Sequence, residues 1–150
     1  MRNTAIYHLP GLFEFYELYR RFLPLFRTHR EYFYDGCEIG SLYGAPENCL
    51  WGGGRFSCGE CDPQAMMALL QEYGISARLT FSNSLLREEH LADERCNALC
   101  RLLAESGGPQ NGVIVHSDLL AGYLKEHYPQ LYLVSSTTKV ITEFEAFRQE

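Results

Sequence analysis

Short apolar runs alternate along this chain with longer stretches of helical period, and that alternation restricts the fold more than any other feature of the sequence. Val113-Ile114-Val115 and Leu131-Tyr132-Leu133-Val134 are too short for helices and carry no charge. They suit strands 113–116 and 131–134, covered on both faces. Residues 76–81, rich in Leu, Thr and Phe and closed by Ser82-Asn83-Ser84, read as another strand. Residues 34–41, around Cys37, Glu38 and Ile39, read as the first. Helical signals fall between them. Asp62-Pro63 offers a capping carboxylate followed by a proline at the first helical position, and Gly74 supplies a left-handed stop after Tyr73. A helix over 88–105 is predicted from the stripe Ala92, Cys96, Leu99 and Leu103, with Cys100 beside it. Gly107-Gly108-Pro109 breaks the chain and Asn111-Gly112 reads as a turn. A helix over 119–127 must stop before Pro129. Thr142 and Glu145 form a capping-box pattern that opens a last helix.

Strand followed by helix, four times over, implies parallel strands joined by helical crossovers. Ahead of them, residues 12–26 place Leu12, Phe15, Tyr16, Tyr19, Phe22, Leu23 and Phe26 at helical spacing, with Pro24 expected to kink or end the helix near Phe22. The predicted fold class is α/β. One domain, 1–150, has an aromatic helical cover over 1–33 and four β-α units over 34–150. Two architectures fit: a small, open, doubly wound sheet, or half of a TIM-like β/α barrel. A closed barrel takes about 250 residues, so a chain of 150 supplies half of one. Such a half leaves two strand edges and an apolar interior uncovered, and calls for a second barrel half or a second copy in a homo-oligomer.

Composition narrows the function. With 46% hydrophobic residues the chain can build a core, and a net charge of −6 does not suit an electrostatic nucleic-acid binder. The basic cluster Arg20, Arg21, Arg27, His29 and Arg30 is flanked by Glu14, Glu17, Glu31 and Asp35, and reads as a solvated face. No secretion signal opens the sequence and no apolar run is long enough for a bilayer, so a cytoplasmic protein with reduced cysteines and no membrane partner is expected.

In parallel β/α folds ligands gather at the C-terminal ends of the strands. That rule nominates Glu38, Ser41 and Tyr43 after the first strand, and Ser82 and Asn83 after the second. It adds His116 and Asp118 after the third, and Ser135, Ser136 and Thr137 after the fourth. Glu38, Asn83, His116 and Asp118 are the catalytic candidates, with imidazole as a general base because it ordinarily titrates near neutrality. Tyr43, Arg55, Ser135 and Thr137 are the candidate ligand-binding residues. Each has a structural alternative: Asp118 or Ser117 as a helix N-cap, Asn83 as a turn residue, His116 as a neutral hydrogen-bonded histidine, Ser135–Ser136 and the threonines as partners of orphan backbone groups. A Glu38 buried in a strand needs a cation, and Arg55 is the obvious one. Gly52-Gly53-Gly54-Arg55 is either a turn or an anion nest. Cys58-Gly59-Glu60-Cys61 spaces two thiols for one zinc or iron ion or for dithiol chemistry, against a reading as ordinary small residues. Cys37 and Cys49 are the further ligands such a metal site would require. Nucleophile-elbow and His-Glu-x-x-His patterns are absent.

Residues 111–142 resemble the barrel family of collagenase-like peptidases, peptidase family U thirty-two. The matching text is Gly112-Val113-Ile114-Val115-His116-Ser117-Asp118, Leu119-Leu120, His127-Tyr128-Pro129 and Val134-Ser135-Ser136-Thr137. Residues 75–84, ending at Asn83, are similar to the family's preceding strand, and 41–55 look like an uncharacterised branch with a Trp-Gly-Gly-Arg turn. The resemblance implies a β/α barrel, here its front half, with a small or peptide-like substrate. Other branches of the family are iron–sulfur proteins whose cluster cysteines lie in the latter half of the barrel, and none of the six cysteines here matches them. The alternatives are a non-catalytic assembly half-barrel, or a metal- or redox-binding module using Cys58 and Cys61.

Overall fold

The computed structural model of the protein describes residues 4–53 and 61–150. Ten main elements alternate: β1 (Ala5–Pro10), α1 (Tyr16–Thr28), β2 (Cys37–Gly44), α2 (Pro63–Tyr73), β3 (Ser76–Phe81), α3 (Glu94–Glu105), β4 (Gly112–Val115), α4 (Asp118–His127), β5 (Tyr132–Ser135) and α5 (Phe144–Gln149). The five strands form one sheet in the order β1-β2-β3-β4-β5, and every neighbouring pair is parallel. Strands laid down in sequence order by right-handed crossovers put all their helices on one face. A doubly wound sheet reverses direction at a switch point, and this one does not. The order is that of consecutive strands in a β/α barrel.

Burial supports the one-sided arrangement. Leu42, Ala77, Leu79, Phe81, Val113 and Val115 alternate along their strands and join the helical residues Leu23, Met66, Leu70, Cys96, Leu103, Leu120 and Leu124 in one core. Each large side chain fully buried there contributes about 1.5–3 kcal/mol. Strand residues of the opposite parity face away from the helices.

Where local signals were strong, structure follows them. Asp62 caps α2 by accepting from the Gln64 amide, Pro63 is its first residue and Gly74 closes it at φ 66°. Elsewhere the structure departs from expectation. The segment 1–33 is not a purely helical cover: Ala5–Pro10 is an edge strand, so the sheet has five strands rather than four. Ile6 and Tyr7 favour extended backbone, and Pro10 is tolerated where one side of the strand has no partner. Helix α1 runs past Pro24 to Thr28. The 88–105 segment splits into a 3₁₀ turn, Glu88–Ala92, and α3, because the Asp93 carboxylate accepts from the Cys96 amide and starts a new helix. Helix α5 begins after Glu143 without a side-chain cap, so the Thr142–Glu145 box does not form. Asn111 is no surface turn. It is 4% exposed, its Oδ1 accepts from the Ala77 amide at 2.8 Å, and its Nδ2 donates to the Leu103 carbonyl at 3.0 Å. Among the described residues no helix is long and apolar enough to cross a membrane.

Candidate functional site

The ends of β4 and β5 carry a connected polar cluster. Ser117 caps α4, accepting from the Leu120 amide, which leaves Asp118 as the first helical residue with its carboxylate free to point outward. Backbone bonds splice the strand ends together: the His116 amide donates to Phe81 and the Ser136 amide to Val115. His116 Nδ1 then lies 2.8 Å from Thr138 Oγ1, which lies 2.8 Å from Ser136 Oγ. Ser136, 5% exposed, also accepts from the Thr138 amide and caps the 3₁₀ turn Thr137–Lys139. Lys139 Nζ sits 2.7 Å from Asp118 Oδ1 and donates to Glu150, whose carboxylate also accepts from Ser135 Oγ at 2.8 Å. The hydrogen bond to Lys139 holds the Asp118 carboxyl below the usual carboxylate range, and the two carboxylates hold the Lys139 ammonium above its ordinary value. Val140 follows at φ 52°, a conformation that β-branched residues avoid. A cleft of about 270 Å³ opens beside the cluster, lined by Ser135, Thr137, Val140, Ile141, Phe147 and Glu150.

Chemically, His116 can accept a proton from the Thr138 hydroxyl. No carboxylate hydrogen-bonds the imidazole among the described residues, so this is a base–hydroxyl pair without the orienting acid of a triad. Lys139 and Glu150 are residues of this cluster that sequence reasoning missed; the signal for Lys139 was its place two residues after Thr137, and Glu150 is brought in by the packing of α5.

The other candidates lie elsewhere. Glu38 is the second residue of β2, paired with Ile6 at the N-terminal end of the sheet. Its side chain is 60% exposed and lies 3.6 Å from Arg30. The expected buried carboxylate at the strand's C-terminal end is therefore corrected: the strand starts three residues later than its apolar content suggested. Arg55, its expected partner, lies outside the described residues, as do Gly54 and Cys58. Cys61 is half-buried, and its amide donates to the Phe13 carbonyl at 3.3 Å. No group of three or more metal-ligating side chains occurs among the described residues. The Asn83 amide is committed to two loops: Nδ2 donates to the Leu50 carbonyl in the loop before α2, and Oδ1 accepts from the Leu85 amide in the turn after β3. That loop seats Trp51, fully buried, with Nε1 donating to the His90 carbonyl at 2.8 Å and its ring edge-on to Phe81 and Tyr123. Gly52 of the glycine run serves this plug: a Cβ there would lie 3.0 Å from that of Ala45. Beneath it Cys49 and Cys96 bring their sulfurs to 3.2 Å, both buried. The Cys49 hydrogen bond, then burial, raises the Cys96 thiol above its ordinary range.

Tyr43 belongs to a second polar group, on the helix-free face. The expected apolar interior is met only in part, by Ile114 and Val134 toward the C-terminal ends of β4 and β5. His8, Ser41, Tyr43, Ser76, Arg78 and Tyr132 share this face by register. His8 Nδ1 lies 2.8 Å from Ser41 Oγ; Arg78 Nε donates to the Tyr132 hydroxyl at 2.5 Å; that hydroxyl lies 3.0 Å from Ser76 Oγ. Thr80, 5% exposed, adds a buried hydroxyl with no partner among the described residues. The strict alternation in Ser76-Ala77-Arg78-Leu79-Thr80-Phe81 carried the signal for this face.

Fold and site together define an α/β protein with parallel strands in barrel order, polar groups at the β4–β5 ends and a second polar group on the helix-free face. Comparison with protein-family models, with curated proteins and with solved structures finds no match.

Proposed function

We propose that the chain is the front half of a β/α barrel that acts on a small or peptide-like substrate held at the C-terminal ends of its strands. The observation carrying this reading is the sheet itself, five parallel strands in sequence order with one face free of helices among the described residues. The rim of β4 and β5 supplies the groups such a site uses: the His116–Thr138 pair for proton transfer and Lys139 between Asp118 and Glu150 for charge. The resemblance of residues 111–142 to collagenase-like peptidases makes peptide hydrolysis the first reaction to assay.

The test uses quenched fluorescent peptides and unfolded collagen with the wild-type protein and with His116→Ala. Cleavage by the wild type that falls by two or more orders of magnitude in the variant, the range general-base removal commonly reaches, supports the reading. Absence of cleavage, or cleavage indifferent to His116, overturns peptide hydrolysis at this rim.

A specific observation favours assembly as a second reading. Val140, Phe144 and Phe147 are 72%, 72% and 67% exposed around the β5 end, where a following barrel half would lie. Light scattering across a concentration series tests it. A dimer weakened by Phe147→Asp supports completion by a second copy; a monomer at every concentration removes the homo-oligomer.

A further inference from the structure

The helix-free face carries a polar group because particular residues are held there. A Cβ on Gly112 would fall 2.5 Å from the Tyr132 ring, so only glycine lets that ring lie across β4 and reach Ser76 and Arg78 on β3. On the other side Tyr7 pairs with Ile39 and His8 with Ser41, which makes Gly40 the extra residue of a bulge. A Cβ on Gly40 would meet Ile6 at 2.5 Å and the His8 ring at 3.2 Å. Two glycines thus let an imidazole and a phenol lean over their neighbouring strands toward the middle of the sheet.

Arg78 stands between them. Its Nε is fixed by Tyr132 and its guanidinium lies 5.3 Å from the centre of that ring. No carboxylate among the described residues is within ion-pair distance of it; the acid on the same face of β2, Glu38, is paired with Arg30. Arg78 also acts on His8, whose pKa is held below its ordinary value first by burial and then by this guanidinium. A half-buried cation without a counter-ion among the described residues, beside an imidazole and several hydroxyls, has the chemistry of an anion site.

We propose that this face binds a small oxyanion, a carboxylate or phosphate group, with Arg78 as its counter-charge and His8, Ser41 and Tyr132 around it. The Nη edge of Arg78 offers two parallel donors, which a carboxylate or phosphate accepts in a fork. Tyr132 holds the guanidinium in plane by its Nε, and His8 gives a further donor once an anion offsets the Arg78 charge. All four residues belong to this chain, so the site stands whether or not a second half completes the barrel, and whether or not the rim cleaves peptides.

The experiment is an NMR titration of the His8 ring protons with inorganic phosphate and, separately, with succinate, at constant ionic strength against a chloride control. Expected are saturable shifts with one or both oxyanions, a His8 pKa that rises on binding, and a tenfold or greater loss of affinity in Arg78→Gln, equivalent to about 1.4 kcal/mol or more. Phosphate alone saturating assigns a phosphate ligand, and succinate alone a carboxylate. Should Arg78→Gln fail to fold, Tyr132→Phe keeps the ring, frees Arg78 Nε, and is expected to weaken binding several-fold. Shifts no larger than those of chloride, or equal titration of wild type and variant, overturn the proposal.

Discussion

Asn111→Ala should be among the most damaging single substitutions in this protein, although a polar residue before a glycine ordinarily marks a tolerant turn. Asn111 Oδ1 accepts from the Ala77 amide and Nδ2 donates to the Leu103 carbonyl, at 2.8 and 3.0 Å. The first bond secures the start of β3. The second satisfies one of the last carbonyls of α3, which no helical amide can reach. Ala77 and Leu103 are 0% and 1% exposed, so water cannot replace either bond. An unsatisfied buried donor or acceptor costs about 1–3 kcal/mol, and two together give about 2–6 kcal/mol. For a domain of this size about 3 kcal/mol lowers Tm by roughly 6–12 °C. Equilibrium urea unfolding measures it directly, with the slope m checking that the unfolded state is unchanged. Asn111→Asp keeps the acceptor for Ala77 but turns an oxygen toward the Leu103 carbonyl, and should be at least as destabilising. A loss below about 1 kcal/mol for Asn111→Ala at unchanged m would refute the clamp.

Trp51→Ala removes a fully buried ring and its bond to the His90 carbonyl, and should cost about 3–5 kcal/mol by the same unfolding assay; a near-neutral result would mean the loop does not plug the core. Gly112→Ala must displace the Tyr132 ring, costing about 1–3 kcal/mol and shifting the Tyr132 ring resonances; unchanged resonances would contradict the close approach. The lowered carboxyl pKa values of Asp118 and Glu150 mean that their contribution is present above the ordinary carboxylate range and lost as pH falls through the lowered values. Amide exchange in α5 should therefore accelerate on acidification before that in α2, and equal protection at acid pH would argue against the Lys139 tether. Burial pushes the Cys100 thiol up to about 12, so an alkylating reagent at mildly alkaline pH should leave it intact until the protein unfolds, and labelling at the rate of a surface thiol would count against that burial.

What was legible in the sequence was what depends on neighbours along the chain. Asp62, Pro63 and Gly74 act within one helical turn, so the ends of α2 could be read directly. The α/β class followed from alternation, and parallel pairing with it. Register is different: it depends on which residue of β1 meets which residue of β2, and a bulge at Gly40 resets it in mid-strand. Strand limits are set the same way: pairing with β1 and β3 carries β2 on to Gly44, which leaves Glu38 near its start rather than its end. The short strand Ala5–Pro10 was obscured because, at the edge, half of its residues need not be apolar. His116, Asp118 and Ser135 do converge at the strand ends, as the parallel topology requires, but Lys139 joins them through a tight turn whose geometry no spacing rule announces. Cys49 and Cys96, 47 residues apart, meet only through tertiary packing.

The two faces of the sheet divide the work of the molecule. Leu42, Leu79, Phe81 and Val113 point into the helical layer, where their burial supplies the folding free energy. Ser41, Arg78 and Tyr132 occupy the alternate positions of the same strands and contribute little to that core. Because consecutive residues point to opposite faces, a substitution at Arg78 can alter the chemistry of the open face without opening a cavity beneath α2 or α3. The converse also holds: a glycine opposite the Tyr132 phenol ring and a bulge at Gly40 beside the His8 imidazole set where those rings lie on the open face, and neither glycine belongs to the apolar core. The proposed oxyanion site uses that placement of the two rings around Arg78.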